Sequence, residues 1–206
     1  MSGRNTRLLN ATPKVSAKIP SRHRFGAKFG AQGQYPDDMC ELKSGRVILR
    51  PIRVEDAVLM TNVLADPSLY EYTGGEPPSE VELVRRYAAQ VQGASPDGSE
   101  VWINHVVEVD RQAVGYAQAT IAASGDVAEV AWVIGKPWQG RGYAKQAGKC
   151  LVAELQGRGV SRIVAHIHPK HFASQRIAES LGLQKTQQIV DGEDRWVGAI
   201  NSLSVE

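Results

Sequence analysis

The sequence predicts an α+β domain of three layers, with a mixed central sheet of about seven strands flanked by four helices. Three observations carry this. The run Glu129 to Ala144, EVAWVIGKPWQGRGYA, reads as a strand, a glycine turn and the start of a helix. Two β-rich runs joined at Asp110 to Gln112 read as an antiparallel hairpin. The whole order, β-α-α-β-β-β-α-β-α-β-β, interleaves helices with strands, as a layered domain requires.

The elements follow in order. Arg46 to Ile52 alternates well enough for a first strand. Asp56 starts a helix running to about Ala65, with Ala57, Leu59, Met60, Val63 and Leu64 as its apolar residues, and Asp66-Pro67 ends it. Ser68 to Pro78 is a loop with two tyrosines and a Gly-Gly pair. Ser79 and Glu82 form a capping-box pattern for a second helix to about Gln92. Val101 to Val109 and Ala113 to Ile121 are hairpin partners, and Gly125-Asp126 turns into the central strand. Pro137 stops that strand because it cannot donate to a sheet ladder. Tyr143 to Leu155 then reads as a helix, with Ala144, Ala147, Leu151, Val152 and Leu155 near one face. Arg162 to Ile167 is a fifth strand and Phe172 to Leu181 a short helix. Leu183 to Val190 and Arg195 to Ile200 close the chain as a hairpin turning at Asp191-Gly192.

At 206 residues the chain is long enough for one domain with an appendage. Cys40 and Cys150 form neither a disulfide framework nor a CxxC site. With no apolar run of membrane-span length and no signal-peptide core, the expected compartment is the cytoplasm and no membrane partner is expected. The net charge of +2 conceals an asymmetry. Residues 1–36 hold seven Lys or Arg and no Asp or Glu, which leaves seventeen basic and twenty-two acidic residues afterwards, a net of −5. Residues 1–44, without periodicity and broken by Pro13, Pro20 and Pro36, read as a basic, disordered tail before a domain spanning 45–206. A plain solvated tail, an arm touching nucleic acid and a targeting peptide are its three readings.

A strand, a glycine turn and a helix make an anion site, because free N–H groups of the first helical turn point at the ligand. Gly135 and Gly140 have P-loop spacing, but Arg141 and Gly142 follow where Lys and a hydroxyl belong. Gly140 and Gly142 begin a dinucleotide fingerprint that Lys145 breaks. Gln139, Gly142 and Ala144 match the pyrophosphate loop Gln/Arg-x-x-Gly-x-Gly/Ala in full. The segment from His168 to Ser174, followed by Leu181-Gly182-Leu183, is similar to the helix start and terminal Gly-Phe found downstream in the same superfamily. From about Arg46 onward the chain therefore resembles the GNAT N-acyltransferases, in the branch of ribosomal-protein and small-molecule acetyltransferases. A structural glycine turn in another α/β domain is the bland alternative.

The resemblance implies the GNAT fold, acetyl-CoA as acyl donor and an amine acceptor, either a small molecule or a protein N-terminus. It places Val133 and Ile134 at the pantetheine arm and thioester, and Gln139, Gly140, Arg141, Gly142, Tyr143 and Ala144 at the pyrophosphate. Glu129 and His166 compete as the base; the bland readings are a strand-end carboxylate and a core histidine. Many relatives carry an acidic Tyr where Ala178 stands here. Ser174 is the replacement donor or a cofactor contact, and His171 stands where relatives have a cofactor-touching Asn. Tyr70, Tyr72, Gly74, Gly75, Glu76, Trp102 and the final hairpin are expected at the acceptor, with core or rim packing as the competing reading for Tyr70 and Trp102. No metal is expected, because the trio His166, His168 and His171 lacks a neighbouring Cys or carboxylate ligand. The protein is expected as a monomer or homodimer. A catalytically silent acyl-CoA-binding module is the alternative function: Ala178 favours it, while Glu129 and Ser174 favour an enzyme.

Overall fold

The computed structural model describes residues 41–42 and 45–200. Apart from Glu41 and Leu42, the basic tail assigned to residues 1–44 lies outside the described residues.

A two-residue strand β1 (Glu41–Leu42) pairs antiparallel with β2 (Gly45–Pro51), so the sheet begins just before the expected boundary. Then come α1 (Asp56–Val63), α2 (Glu80–Gln90), β3 (Glu100–Val109), β4 (Gln112–Ala122) and β5 (Val127–Ile134). The chain continues through α3 (Tyr143–Gly157), β6 (Arg162–Ile167), α4 (Phe172–Ser180), β7 (Gln184–Val190) and β8 (Glu193–Ala199). The sheet order is β1-β2-β3-β4-β5-β6-β8-β7. Seven full strands and four helices match the expected architecture, and β1 adds a short edge ladder. All neighbours are antiparallel except β5 and β6, which run parallel because α3 crosses between them.

Turn chemistry explains the hairpins. Asp110 and Arg111 (φ 50° and 66°) join β3 to β4, and Asp191 and Gly192 (φ 54° and 87°) join β7 to β8. Two successive left-handed residues match the right-handed strand twist. The Ser79–Glu82 capping box forms as the sequence implies, with both reciprocal hydrogen bonds present. Asp56 starts α1 as expected: it is the first residue of the helix, and its carboxylate accepts from the Arg53 N–H (2.7 Å) and the Arg50 guanidinium (3.0 and 2.8 Å). Leu59, expected on the apolar face of α1, is 58% exposed, since α1 is short and buries only the Ala57, Met60 and Val63 side. Pro67 starts a 3-10 turn, Pro67–Tyr70, capped by Asp66, within the stretch expected as loop.

Two cores cover the two sheet faces. Ala117, Ala119, Ala128, Val130, Ile163, Ala165 and Trp196 pack with α3 and α4 on one face. Ile52, Met60, Leu64, Leu83, Tyr87 and Val106 pack on the other, with Tyr116 and Val133 against them. Gly115 permits the close approach of β4 to β5: a Cβ there would lie 2.1 Å from the Val133 carbonyl oxygen, well inside contact distance.

The α3 layer is tied to the sheet by a partly buried ion-pair cluster. His105 Nε2 meets Glu154 Oε2 at 2.7 Å, and Arg158 Nη2 meets the other carboxylate oxygen at 2.8 Å. Burial by itself pushes the Glu154 carboxyl up, but the hydrogen bonds and charges of His105 and Arg158 outweigh it and hold the carboxyl below its ordinary value. A carboxylate with a depressed folded-state pKa contributes stability above its unfolded value and loses it as pH falls through the folded one. Glu154→Gln should therefore cost about 1–3 kcal/mol at pH 7. Denaturant titrations should show that difference shrinking as the pH is lowered below the ordinary Glu range.

Candidate active site

The parallel pair is short. β5 and β6 are in register only at Val127↔Arg162, Ala128↔Ile163 and Glu129↔Val164. Beyond Glu129, β5 stays paired to β4 as far as Ile134, and β6 stays paired to β8 through Ile167. The two strands part, and a cleft opens inside the sheet. It leads into a cavity of about 710 Å³ lined by Val130 to Ile134 on one side and Ala165 to His168 on the other.

At the β5 end of the cleft lies the glycine turn. Gln139 Nε2 donates to the Ile134 carbonyl (2.9 Å) and folds the loop back on the strand. Gly140 and Gly142 both have left-handed backbone, with φ of 76° and 81°. Gly142 is the N-cap of α3 and brings no side-chain acceptor, which leaves the first-turn N–H groups for an anion. Gln139, Gly140, Gly142, Tyr143 and Ala144 line the cavity with Val133 and Ile134; Arg141 does not.

Where the strands part, Glu129 and His166 meet: Nδ1 lies 3.0 Å from Oε1. The register explains the contact. Glu129 pairs with Val164, and His166 is two residues further along β6, hence on the same face. A carboxylate only accepts, so Nδ1 carries the shared hydrogen. The Glu129 side chain is 35% exposed against 15% for His166. His166 Nε2 is buried without a hydrogen-bond partner among the described residues. Both residues line the cavity, and Glu129 is the more exposed of the two.

The remaining wall is aromatic and helical. His171 caps α4, its Nδ1 accepting the Ser174 N–H at 3.0 Å, which puts the ring hydrogen on Nε2. Burial first, then the adjacent His168, hold the His171 imidazole below its usual pKa, in keeping with a neutral ring. Tyr72 packs on both histidines, with ring centroids 5.3 Å from His168 and 4.8 Å, edge-on, from His171. Tyr72, His171 and Ser174 all line the cavity. Ala178 is fully buried in the core, so no proton donor stands there.

Other sequence-selected residues lie elsewhere. Tyr70 is buried and its hydroxyl donates to the Leu64 carbonyl at 2.9 Å. Gly74 and Gly75 shape their loop with φ of 74° and 90°. Trp102 Nε1 donates to Glu100 on its own strand. None of these four lines the cavity, because the 3-10 turn packs Tyr70 inward and Trp102 is two strands away from β5. Glu193 and Asp191, which belong to the final hairpin expected at the acceptor but are not singled out by the sequence, do line it. Burial pushes the Glu193 carboxyl up; His166 opposes this, and Glu129 and Asp191 add to it. The only available signal was their position at the Asp191-Gly192 turn, and hairpin parity is needed to say which side chains face the cleft.

Residues 46–184 match the family described as the Acetyltransferase (GNAT) domain. The chain belongs to the GNAT acetyltransferase family. Among curated proteins it is similar to the uncharacterized N-acetyltransferase p20 of Bacillus licheniformis, with 24% identity over 154 residues, covering 74% of this chain and 86% of p20. Among solved structures, an acetyltransferase from Thermus thermophilus superposes with a TM-score of 0.62 at 22% identity, covering 74% of this chain and 96% of that one. The aminoglycoside acetyltransferase AAC(6')-Ib in complex with acetyl-CoA superposes with a TM-score of 0.62 at 18% identity, covering 74% of this chain and 93% of that one. The opening between β5 and β6 and the glycine turn beside it are thus features of a GNAT acetyltransferase domain. Among the described residues no helix is long and apolar enough to cross a membrane.

Proposed function

We propose that this GNAT protein moves an acetyl group from acetyl-CoA to a primary amine, on a small molecule or a protein N-terminus. The observation that carries the reading is the Glu129–His166 pair standing where the sheet opens, in the same cavity as the glycine turn. The donor's pyrophosphate is assigned to the turn from Gln139 to Ala144, where left-handed glycines expose backbone N–H groups, and its thioester arm to the edge of β5 at Val133 and Ile134. The amine enters from the Glu129 side. Its nitrogen attacks the thioester carbonyl carbon, the carbon–sulfur bond breaks, and the amine's proton goes to the Glu129 carboxylate. His166 acts through Glu129, fixing one carboxylate oxygen so that the other meets the amine. Ser174, at the first turn of α4, relays a solvent proton to the departing thiolate and so ends the step as a neutral hydroxyl.

Thiol release from acetyl-CoA in the presence of a panel of primary amines tests this. Release that depends on both the amine and Glu129 is the expected result. Tight acetyl-CoA binding with no release from any amine would instead support a silent acyl-CoA-binding module.

A further inference from the structure

Glu193 is a carboxylate that the reaction as proposed does not use. It begins β8, is half-buried and lines the same cavity as Glu129 and His166. Its place follows from register. His166 pairs with Arg195, and Glu193 is two residues from Arg195, so Glu129, His166 and Glu193 share one sheet face. Among the described residues the Glu193 side chain makes no hydrogen bond or ion pair; its charged neighbours are His166, Glu129 and Asp191. Arg195 is on the same face but does not line the cavity.

The charges lining the cavity fall mainly into two groups. Lys136 and Lys145 flank the glycine turn, and Arg176 is on α4. Glu129, Asp191 and Glu193 form an acidic group, with Glu193 close enough to feel the charges of the other two and reached from β5 across β6 to β8. Glu129 is five residues from Ile134, roughly 16 Å along an extended strand. Glu71 lies apart from both groups, beside His171. The basic group at the glycine turn therefore suits the anionic donor, and the acidic group a cation. One reacting ammonium needs one carboxylate, and Glu129 already fills that role. Glu193 is a second one without a hydrogen bond or ion pair of its own: burial raises the cost of its charge, His166 offsets part of that, and Glu129 and Asp191 add to it.

Resting on the acetyl-transfer reading above, we infer that Glu193 is a specificity-determining residue that holds a second cationic centre of the acceptor, so that the acceptor class is a diamine or polyamine. The acceptor's reacting nitrogen reaches Glu129 while its other ammonium remains charged against Glu193.

The test compares kcat/KM for 1,4-diaminobutane and longer diamines with that for n-alkylamines of equal chain length, using the full chain and saturating acetyl-CoA. The expected result is a preference for one diamine length by about 10-fold or more, the size of one charge-assisted contact. Glu193→Gln should bring the ratio close to one, mainly through the diamine KM, and Glu193→Asp should restore much of it. Equal turnover of diamine and monoamine by the unaltered protein would overturn the inference and leave acetyl transfer standing. So would a preference that persists in Glu193→Gln. Absence of thiol release with every amine would overturn the acetyl-transfer reading, and the inference with it.

Discussion

Glu129→Gln should lower kcat by about 10²–10⁴-fold, the range for loss of a positioned general base. Acetyl-CoA affinity should be retained, because the amide preserves the shape and still accepts from His166 Nδ1, 3.0 Å away. The defect should narrow at high pH, where free amine replaces ammonium. His166→Gln should be milder, since His166 acts through its neighbour. The double variant should be no slower than Glu129→Gln alone, because residues acting as one unit are not additive. Single-turnover rates across a pH series for the three variants measure this. A near-normal Glu129→Gln beside a crippled His166→Gln would reverse the two roles.

The second large effect is at Gly142. Gly142→Glu should abolish acetyl-CoA binding while the domain remains folded. The backbone there has φ 81°, and no atom lies within 4 Å of where a Cβ would stand. The empty protein therefore meets no clash, only the left-handed penalty of about 1–2 kcal/mol for a residue with a Cβ. A Glu side chain brings a like charge to the place assigned to the pyrophosphate. Gly142→Ala separates the two effects: it pays the same backbone penalty without the charge, and should bind with only moderate loss. Calorimetric titration of both variants, each checked by thermal melting, decides the matter. Unchanged affinity in Gly142→Glu would remove the glycine turn from the donor site.

The glycine turn was legible because it depends on local chemistry. Left-handed φ at positions 140 and 142 is what glycine supplies most readily, and Pro137 marks where the strand must stop. The hairpin turns and the Ser79–Glu82 box were readable for the same reason. What the sequence left open depends on register. Glu129 and His166 stood as rivals 37 positions apart, and only the parallel alignment of Glu129 with Val164 shows them to be partners. Glu193 could not be singled out within the final hairpin because one residue of slip would turn it to the other face. Trp102 was on a correctly placed strand, yet β4 stands between that strand and β5. Tyr70 and Tyr72, two residues apart in one loop, divide into a core residue and a cavity residue because the 3-10 turn rotates them apart.

The early parting of β5 and β6 also bears on which molecules can fill the opening. Two strand edges that diverge present backbone groups at a spacing that changes along the cleft. A neighbouring protein's strand needs a constant spacing of about 4.8 Å to pair on both sides at once. It can zip onto one edge only by leaving the other bare. A thin, unbranched chain with a few isolated amides is under no such obligation, since it can satisfy each edge where it happens to pass. The wedge therefore discriminates by shape against the intruder that most threatens an unpaired strand, a strand of another chain, and leaves the gap open to a narrow flexible guest.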